Sequence, residues 1–385
     1  MELYKSPLVT GLSLVSCLGS SIEETWEFLC SGKDGLSPIT SFDTEQLRSS
    51  IGGEIKSIYS LTGKDRMLQL SKEAITNTIN DSGLTITDIN QAKSALVLGT
   101  SLGHIFENEN SPTNIDDYIP DVLNEIGLTI PFLAISSACS SGSDAISIGC
   151  DLIQFQEFDI VICGGVDILD IYKMTGHSSL HTLSPTKCRP FSFDSDGTSL
   201  GEGAAFIILE APKNIKRKNA NYYASIIGRS NTTDTSSVTA PDENGLGAIR
   251  VIEQAINQTP FKASDISYIN AHGSGTPTND KMEAKVYEIL FSDSQTPVSS
   301  TKSAFGHTLG ATGAIEAIIA ILALNKKTAP PTAGLKKYSA EWENKNLVIG
   351  EPLRIDGKNL ITASVTYGFG GANACLVFTN INKEI

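Results

Sequence analysis

Residues 135–143 (ISSACSSGS) form the segment of this 385-residue chain best suited to covalent chemistry. A strand-like apolar run, Pro131–Ile135, read as buried, ends in small polar residues. A helix then begins, with Ala145, Ile148, Gly149 and Leu152 on one face. Cys139 is thereby expected near a helix N-terminus, where free N–H groups and the helix dipole favour thiolate over thiol. Its small neighbours leave room for a substrate to reach the sulfur. A nucleophile needs partners, and the chain has five histidines. His272 stands in NAHGSGTP after a predicted strand, and His307 in TKSAFGHTLG before a predicted helix. Glycines flank both and let backbone and ligand approach closely. Together with Cys139 they form a candidate constellation for acyl transfer.

Other residues carry weaker signals. His177 and His181 have the i,i+4 spacing of a zinc pair, but no HExxH glutamate or third ligand accompanies them, so no metal is expected. The Gly368–Gly371 turn lacks a dinucleotide or P-loop pattern. Glu202 and Asp280 could serve as an acid and a base, although nothing in the sequence places them together.

Elements to hold these residues alternate along the chain, which argues for α/β layers. Strands are predicted at Leu8–Leu18, Ser94–Gly99, Ile160–Gly164, Ala204–Glu210, Ser267–Asn270, Leu360–Val365 and Ala374–Phe378. Helices are predicted at Ile22–Cys30, Lys64–Ile79, Ala138–Gln154, Leu246–Asn257, Lys281–Leu290 and Gly313–Asn325. The polar stretch Ala211–Asn221 reads as a connector. The halves on either side echo each other: a strand leads into LVLGTSLG and YINAHGSG, and a Gly-rich turn feeds GEGAAFIIL and GFGGANACLVF.

Composition narrows the class. Hydrophobic residues make up 40% and charged residues 19%, enough apolar content for a packed globular chain. With 29 basic and 43 acidic residues the net charge is −14, against the basic field that nucleic-acid binding needs. Seven scattered cysteines without a CxxC pair fit reduced thiols and a cytoplasmic protein. The Leu14–Cys17 stretch resembles a lipoprotein cleavage site, but Gly11 and Ser13 interrupt its apolar run, and it reads as part of the first strand. The longest apolar run, Ala314–Leu324, contains Glu316 and is shorter than the about 20 residues of a membrane span. No membrane association is expected.

Five motifs in order give the chain a resemblance to the β-ketoacyl-acyl-carrier-protein synthases, condensing enzymes of the thiolase superfamily. They are SSACSSG around Cys139, CRPFSFDSDGTSLGEGAA at 188–205, NAHGSGTPTND at 270–280, STKSAFGHTLGATGAIEA at 300–317 and YGFGGAN at 367–373. The resemblance runs from Val9 to Phe378. It implies an α/β thiolase fold, two duplicated halves in a five-layered α-β-α-β-α architecture, divided as residues 1–213 and 214–385. It implies that Cys139 takes an acyl group as a thioester, and that His272 and His307 stabilise the enolate formed when malonyl-carrier protein loses CO₂. The backbone N–H groups of Cys139 and Phe369 would hold the oxyanion, and Phe369 would also gate the acyl pocket. Lys302 and Glu316 would set histidine tautomers and local charge, and Asp280 would be structural.

No dissociable cofactor is implied. The phosphopantetheine arm arrives on an acyl-carrier protein and would contact Thr301, Thr276 and neighbouring threonines. Leu102 stands where the family has a pocket-bottom residue. Lys213, Lys216, Arg217 and Lys218 could offer an acidic carrier a basic patch, or simply form a solvated connector. The resemblance also implies a homodimer or a heterodimer with a related subunit. The segment between Gly103 and Pro131 is shorter than in fatty-acid elongating enzymes and is acidic. The PTND and LSPTKCRPF runs look more like type II polyketide ketosynthases, which tilts the reading toward a polyene or aromatic polyketide pathway over primary fatty-acid elongation. A thiolase would need a second cysteine in a C-x-G turn, whereas Cys375 lies in an apolar strand. A non-catalytic chain-length-factor-like subunit would lack the nucleophile that Cys139 supplies.

Overall fold

A computed structural model describes residues 6–105, 114–215, 222–357 and 359–380. The first half contributes strands β1 (Leu8–Ser16), β2 (Ser37–Pro38), β3 (Ile51–Gly52), β4 (Ser94–Gly99), β5 (Phe132–Ile135), β6 (Ile160–Asp167) and β7 (Gly203–Glu210). Its helices are α1 (Ile22–Cys30), α2 (Gly63–Ser82), α3 (Ile86–Gln91), α4 (Ile119–Ile126), α5 (Ser141–Gln154) and α6 (Ile171–Ser179). The second half contributes β8 (Ala224–Thr233), β9 (Tyr268–Asn270), β10 (Val298–Ser299), β11 (Thr328–Ala329), β12 (Leu353–Arg354), β13 (Ile361–Tyr367) and β14 (Ala372–Thr379). Its helices are α7 (Leu246–Ile256), α8 (Pro277–Phe291), α9 (Lys302–Phe305) and α10 (Thr312–Lys326).

The strand order is β5-β4-β6-β7-β1 in the first half and β10-β9-β13-β14-β8 in the second. In both, the outer three strands run parallel and the next two antiparallel, so the halves share one topology. β1 and β8 join them through two residue pairs, Leu8 with Ser225 and Val9 with Ala224.

Side-chain alternation explains the layers. In β7, Ala205, Ile207 and Leu209 pack between the two sheets, whereas Ala204, Phe206 and Ile208 face α2 and α4. In β14, Leu376 and Phe378 point inward and Cys375 and Val377 face α7 and α8. Helices α5 and α10 fill the central layer, giving the expected five-layered thiolase architecture. The Ala314–Leu324 run is apolar because α10 is covered on every side. The 18-residue segment Leu309–Lys326 has the length and apolarity of a membrane-crossing helix, and 89% of it is buried inside the protein. Helices α5 and α10 approach so closely that a Cβ on Gly142 would lie 2.7 Å from the Ala314 nitrogen, and one on Gly313 2.1 Å from Ser143 Oγ.

The strand predicted to be buried at 131–135 is an edge strand. Among the described residues β5 pairs only with β4, and Phe132 and Leu133 are 37% and 47% exposed, because the sheet ends there. The cysteine of the Leu14–Cys17 stretch directly follows buried β1.

Candidate active site

The turn between β5 and α5 places Cys139. Ala138 adopts φ +54°, an uncommon conformation for a residue with a Cβ that costs about 1–3 kcal/mol and persists only where its surroundings fix it. They do: Ser141 Oγ accepts from the Ser137 N–H at 2.9 Å, and Asp144 accepts from Ser137, Ser140 and Asn231 side chains. Cys139 is buried, and burial pushes its thiol up to about 11. The Phe369 N–H directed at the sulfur and the Lys302 charge pull the other way, more weakly. The expected thiolate is therefore corrected. Removal from water outweighs the helix terminus, and the resting group is the thiol.

His307 precedes α10 in an equivalent position, and Leu309 nearby also has positive φ, +52°. Its Nδ1 accepts from the Leu309 N–H at 3.1 Å and lies 3.0 Å from Thr312 Oγ1. Nδ1 must then be unprotonated, so the neutral ring carries its proton on Nε2. Burial, the Lys302 charge and His177 hold the His307 imidazole well below its usual range. Burial, Lys302 and His307 do the same for His272. His272 lies in the turn from β9 to α8, where its N–H donates to Glu283 Oε1 at 3.0 Å and the Gly273 N–H to Oε2 at 2.6 Å. At Gly273, φ is +41° and a Cβ would lie 2.4 Å from Ser300 Cβ, so this glycine serves packing against Ser300.

Lys302 and Glu316 form a fully buried ion pair, and Lys302 Nζ also donates to the His272 carbonyl. Burial raises the Glu316 carboxyl to about 7 despite the lysine. Asp280 accepts from the Phe191 N–H at 2.7 Å and the Gly275 N–H at 3.2 Å, tying segment 188–197 to the histidine turn. Cys139, His272, His307 and Phe369 border one cavity of about 270 Å³, and Ser274, Thr276 and Thr278 line its approach. Both catalytic candidates from the second half thus face the cysteine from the first.

A family model for the β-ketoacyl synthase N-terminal domain matches residues 7–214, and one for the C-terminal domain matches residues 223–336. The chain belongs to the β-ketoacyl synthase family. It is 32% identical to 3-oxoacyl-[acyl-carrier-protein] synthase 2 of Synechocystis sp. and 31% identical to the protein of that name from Coxiella burnetii. Each alignment covers 97% of this chain and 98% of the relative. Among solved structures, the ishigamide ketosynthase/chain length factor superposes with a TM-score of 0.87 at 26% identity, covering 98% of this chain and 99% of the other.

Against that family frame, some expected site residues stand elsewhere. Thr301 is buried behind the cavity wall, its Oγ1 3.5 Å from Asn270 Nδ2, because it caps α9 from inside the core. Leu102 follows β4 in a turn, 39% exposed and away from the cavity lining. Glu202 and Asp280 do not meet: Glu202 is held by Arg66, with Nε at 2.8 Å, and by the Ile55 and Leu169 N–H groups. His177 turns to Thr182 and His181 to Arg48, and no three potential ligands gather for a metal among the described residues. Lys213 bonds Gln156 at 2.8 Å, while Lys216, Arg217 and Lys218 lie outside the described residues, as does the 106–113 part of the acidic segment.

Sequence reading missed several supporting groups in this synthase-family chain. Glu283 orders the His272 turn, and only its i,i+3 spacing from Asp280 on α8 hinted at it. Burial and the Asp280 charge raise it to about 8. Thr312 Oγ1 adds a second contact at His307 Nδ1, beside the Leu309 N–H that sets the tautomer. Asp167 accepts from the Ser101 and Gly310 N–H groups at 2.8 and 3.0 Å and from Lys173 at 2.6 Å, linking the turns that follow β4 and His307.

Proposed function

We propose that this chain catalyses decarboxylative Claisen condensation between a Cys139-bound acyl chain and malonyl-acyl-carrier protein. The observation that carries the reading is the shared cavity, in which a buried cysteine with an N–H aimed at its sulfur faces two neutral imidazoles. Cys139 Sγ attacks the acyl thioester. The carbonyl oxygen becomes an oxyanion facing the Cys139 and Phe369 N–H groups, and the phosphopantetheine thiol leaves with the cysteine proton. Malonyl thioester then loses CO₂. The enolate oxygen is stabilised by N–H donation from His307, whose proton is on Nε2, and from His272. The enolate carbon attacks the acyl-cysteine, the C–S bond breaks, and the sulfur regains a proton. Lys302 holds the His272 carbonyl, Glu316 balances the lysine charge, and Asp280 braces the turn. Phe369 gates the acyl channel.

The phosphopantetheine arm enters past Ser274, Thr276 and Thr278, with exposed Arg48 beside His181 at the rim for an acidic carrier. The apolar edge of β5 pairs with a second, related subunit, as a homodimer or a heterodimer; the ketosynthase/chain length factor similarity favours the heterodimer. The same similarity favours a type II polyketide pathway, of polyene or aromatic product, and the synthase 2 relatives keep fatty-acid elongation as the second reading. We read residues 1–213 and 214–385 as the two duplicated halves on their shared strand order, and place the protein in the cytoplasm on its seven free cysteines.

The test is intact-mass measurement of wild type and Cys139→Ala with acyl- and malonyl-carrier proteins. Acylation of wild type alone, followed by a β-ketoacyl product longer by two carbons, is expected. Absence of any adduct on Cys139 would sink the nucleophile role, and acylation without extension would mean that a partner subunit is required.

A further inference from the structure

His177 is a third imidazole on the cavity wall, at the C-terminal end of α6, and the condensation scheme has no use for it. Its ring stacks on Phe369, with centroids 5.4 Å apart and planes 20° apart. Nδ1 lies 2.8 Å from Thr182 Oγ1, whose hydroxyl also lies 3.1 Å from the His177 carbonyl. The ring is therefore fixed by a hydrogen bond at one nitrogen and by Phe369 across its face. Nε2 has no protein hydrogen-bond partner among the described residues, although the ring lines the same cavity as Cys139 and His307. A pocket built for a saturated alkyl chain gains nothing from such an atom, because covering it with CH₂ groups leaves it unsatisfied, at about 1–3 kcal/mol. Burial lowers the His177 imidazole to about 4, so at neutral pH it offers a hydrogen-bonding nitrogen without a charge.

We propose that His177 is a specificity-determining residue that selects acyl chains bearing a hydrogen-bonding oxygen near the thioester, a hydroxyl or a keto group, over saturated chains of equal length. The chain passes the ring at the Phe369 gate, and the Thr182 bond at Nδ1 leaves Nε2 as the nitrogen without a protein partner among the described residues. A hydroxyl is the partner if Nε2 accepts, and a keto oxygen if Nε2 carries the proton. This inference rests on the acyl-cysteine reading given above.

The experiment presents the full chain with hexanoyl, 3-hydroxyhexanoyl and 3-oxohexanoyl thioesters of N-acetylcysteamine and follows Cys139 acylation by intact mass. Wild type is expected to take one oxygenated chain about fivefold faster than hexanoyl, the size of one neutral hydrogen bond. His177→Phe keeps a flat ring against Phe369 and is expected to abolish that preference, while His177→Gln, which retains a polar atom, preserves part of it. Thr182→Val frees Nδ1 and should weaken the preference even if the His177 variants fail to fold. Equal rates for all three thioesters in wild type, or an unchanged ratio in His177→Phe, would overturn the specificity role and leave the condensing reading intact. No acylation by any thioester would remove both.

Discussion

The imidazoles of His272 and His307 meet edge to face, with ring centroids 5.4 Å apart and planes 82° apart. Neither can gain a proton cheaply, since burial and Lys302 oppose a positive charge on both. Two neutral rings at this distance can donate N–H groups toward one oxygen, which two imidazolium ions would do only against their mutual repulsion.

Thr312 supplies one of the two groups at His307 Nδ1, and Thr312→Val removes it without changing side-chain volume much. The Leu309 N–H remains. Condensation kcat is expected to fall about tenfold, while the rate of Cys139 acylation, which does not use the histidine proton, stays the same. Single-turnover acylation measured beside steady-state condensation separates the two, and an equal loss in both would contradict the assignment.

The Cys139 thiol, raised to about 11, is almost wholly protonated at neutral pH. Because the thiolate is the reactive species, alkylation of Cys139 by iodoacetamide should accelerate about tenfold per pH unit from pH 7 to 10. Peptide mapping of the alkylated cysteine gives the profile. A plateau already at pH 7 would mean that the helix terminus outweighs burial after all.

Lys302 and Glu316 are each fully buried, so removing one strands the other. Lys302→Met is expected to destabilise the fold by about 3–5 kcal/mol, read as a lowered denaturation midpoint in urea. Replacing both with methionine should recover much of that loss, because it removes the uncompensated charge, while activity stays lost.

Edge strand β5, at one of the two ends of the sheet, carries Leu133, 47% exposed. Leu133→Asp places a charge on that edge and should shift sedimentation toward the single chain, with little change in the melting temperature of the subunit. An unaltered sedimentation profile would contradict the proposed pairing through β5.

The sequence by itself determined the local parts. The Cys139, His272 and His307 turns are each defined by neighbours within a few residues, and α2, α5 and α10 announce themselves by apolar spacing, because hydrophobic period and turn chemistry are properties of contiguous chain. The predicted bounds at Ser94–Gly99 and Ile22–Cys30 coincide with β4 and α1 for the same reason. Other features depend on residues far apart in sequence, and only the tertiary structure decided them. The Cys139 proton is set by how much water the two halves exclude together. Glu283 orders a turn ten residues earlier only because α8 folds back beneath it. The apolar 131–135 run reads the same whether a strand is central or at an edge; its exposure was decided by where the sheet stops. His177 and Phe369 stack because α6 and the turn after β13 converge on one cavity, and no pattern in either segment encodes the other.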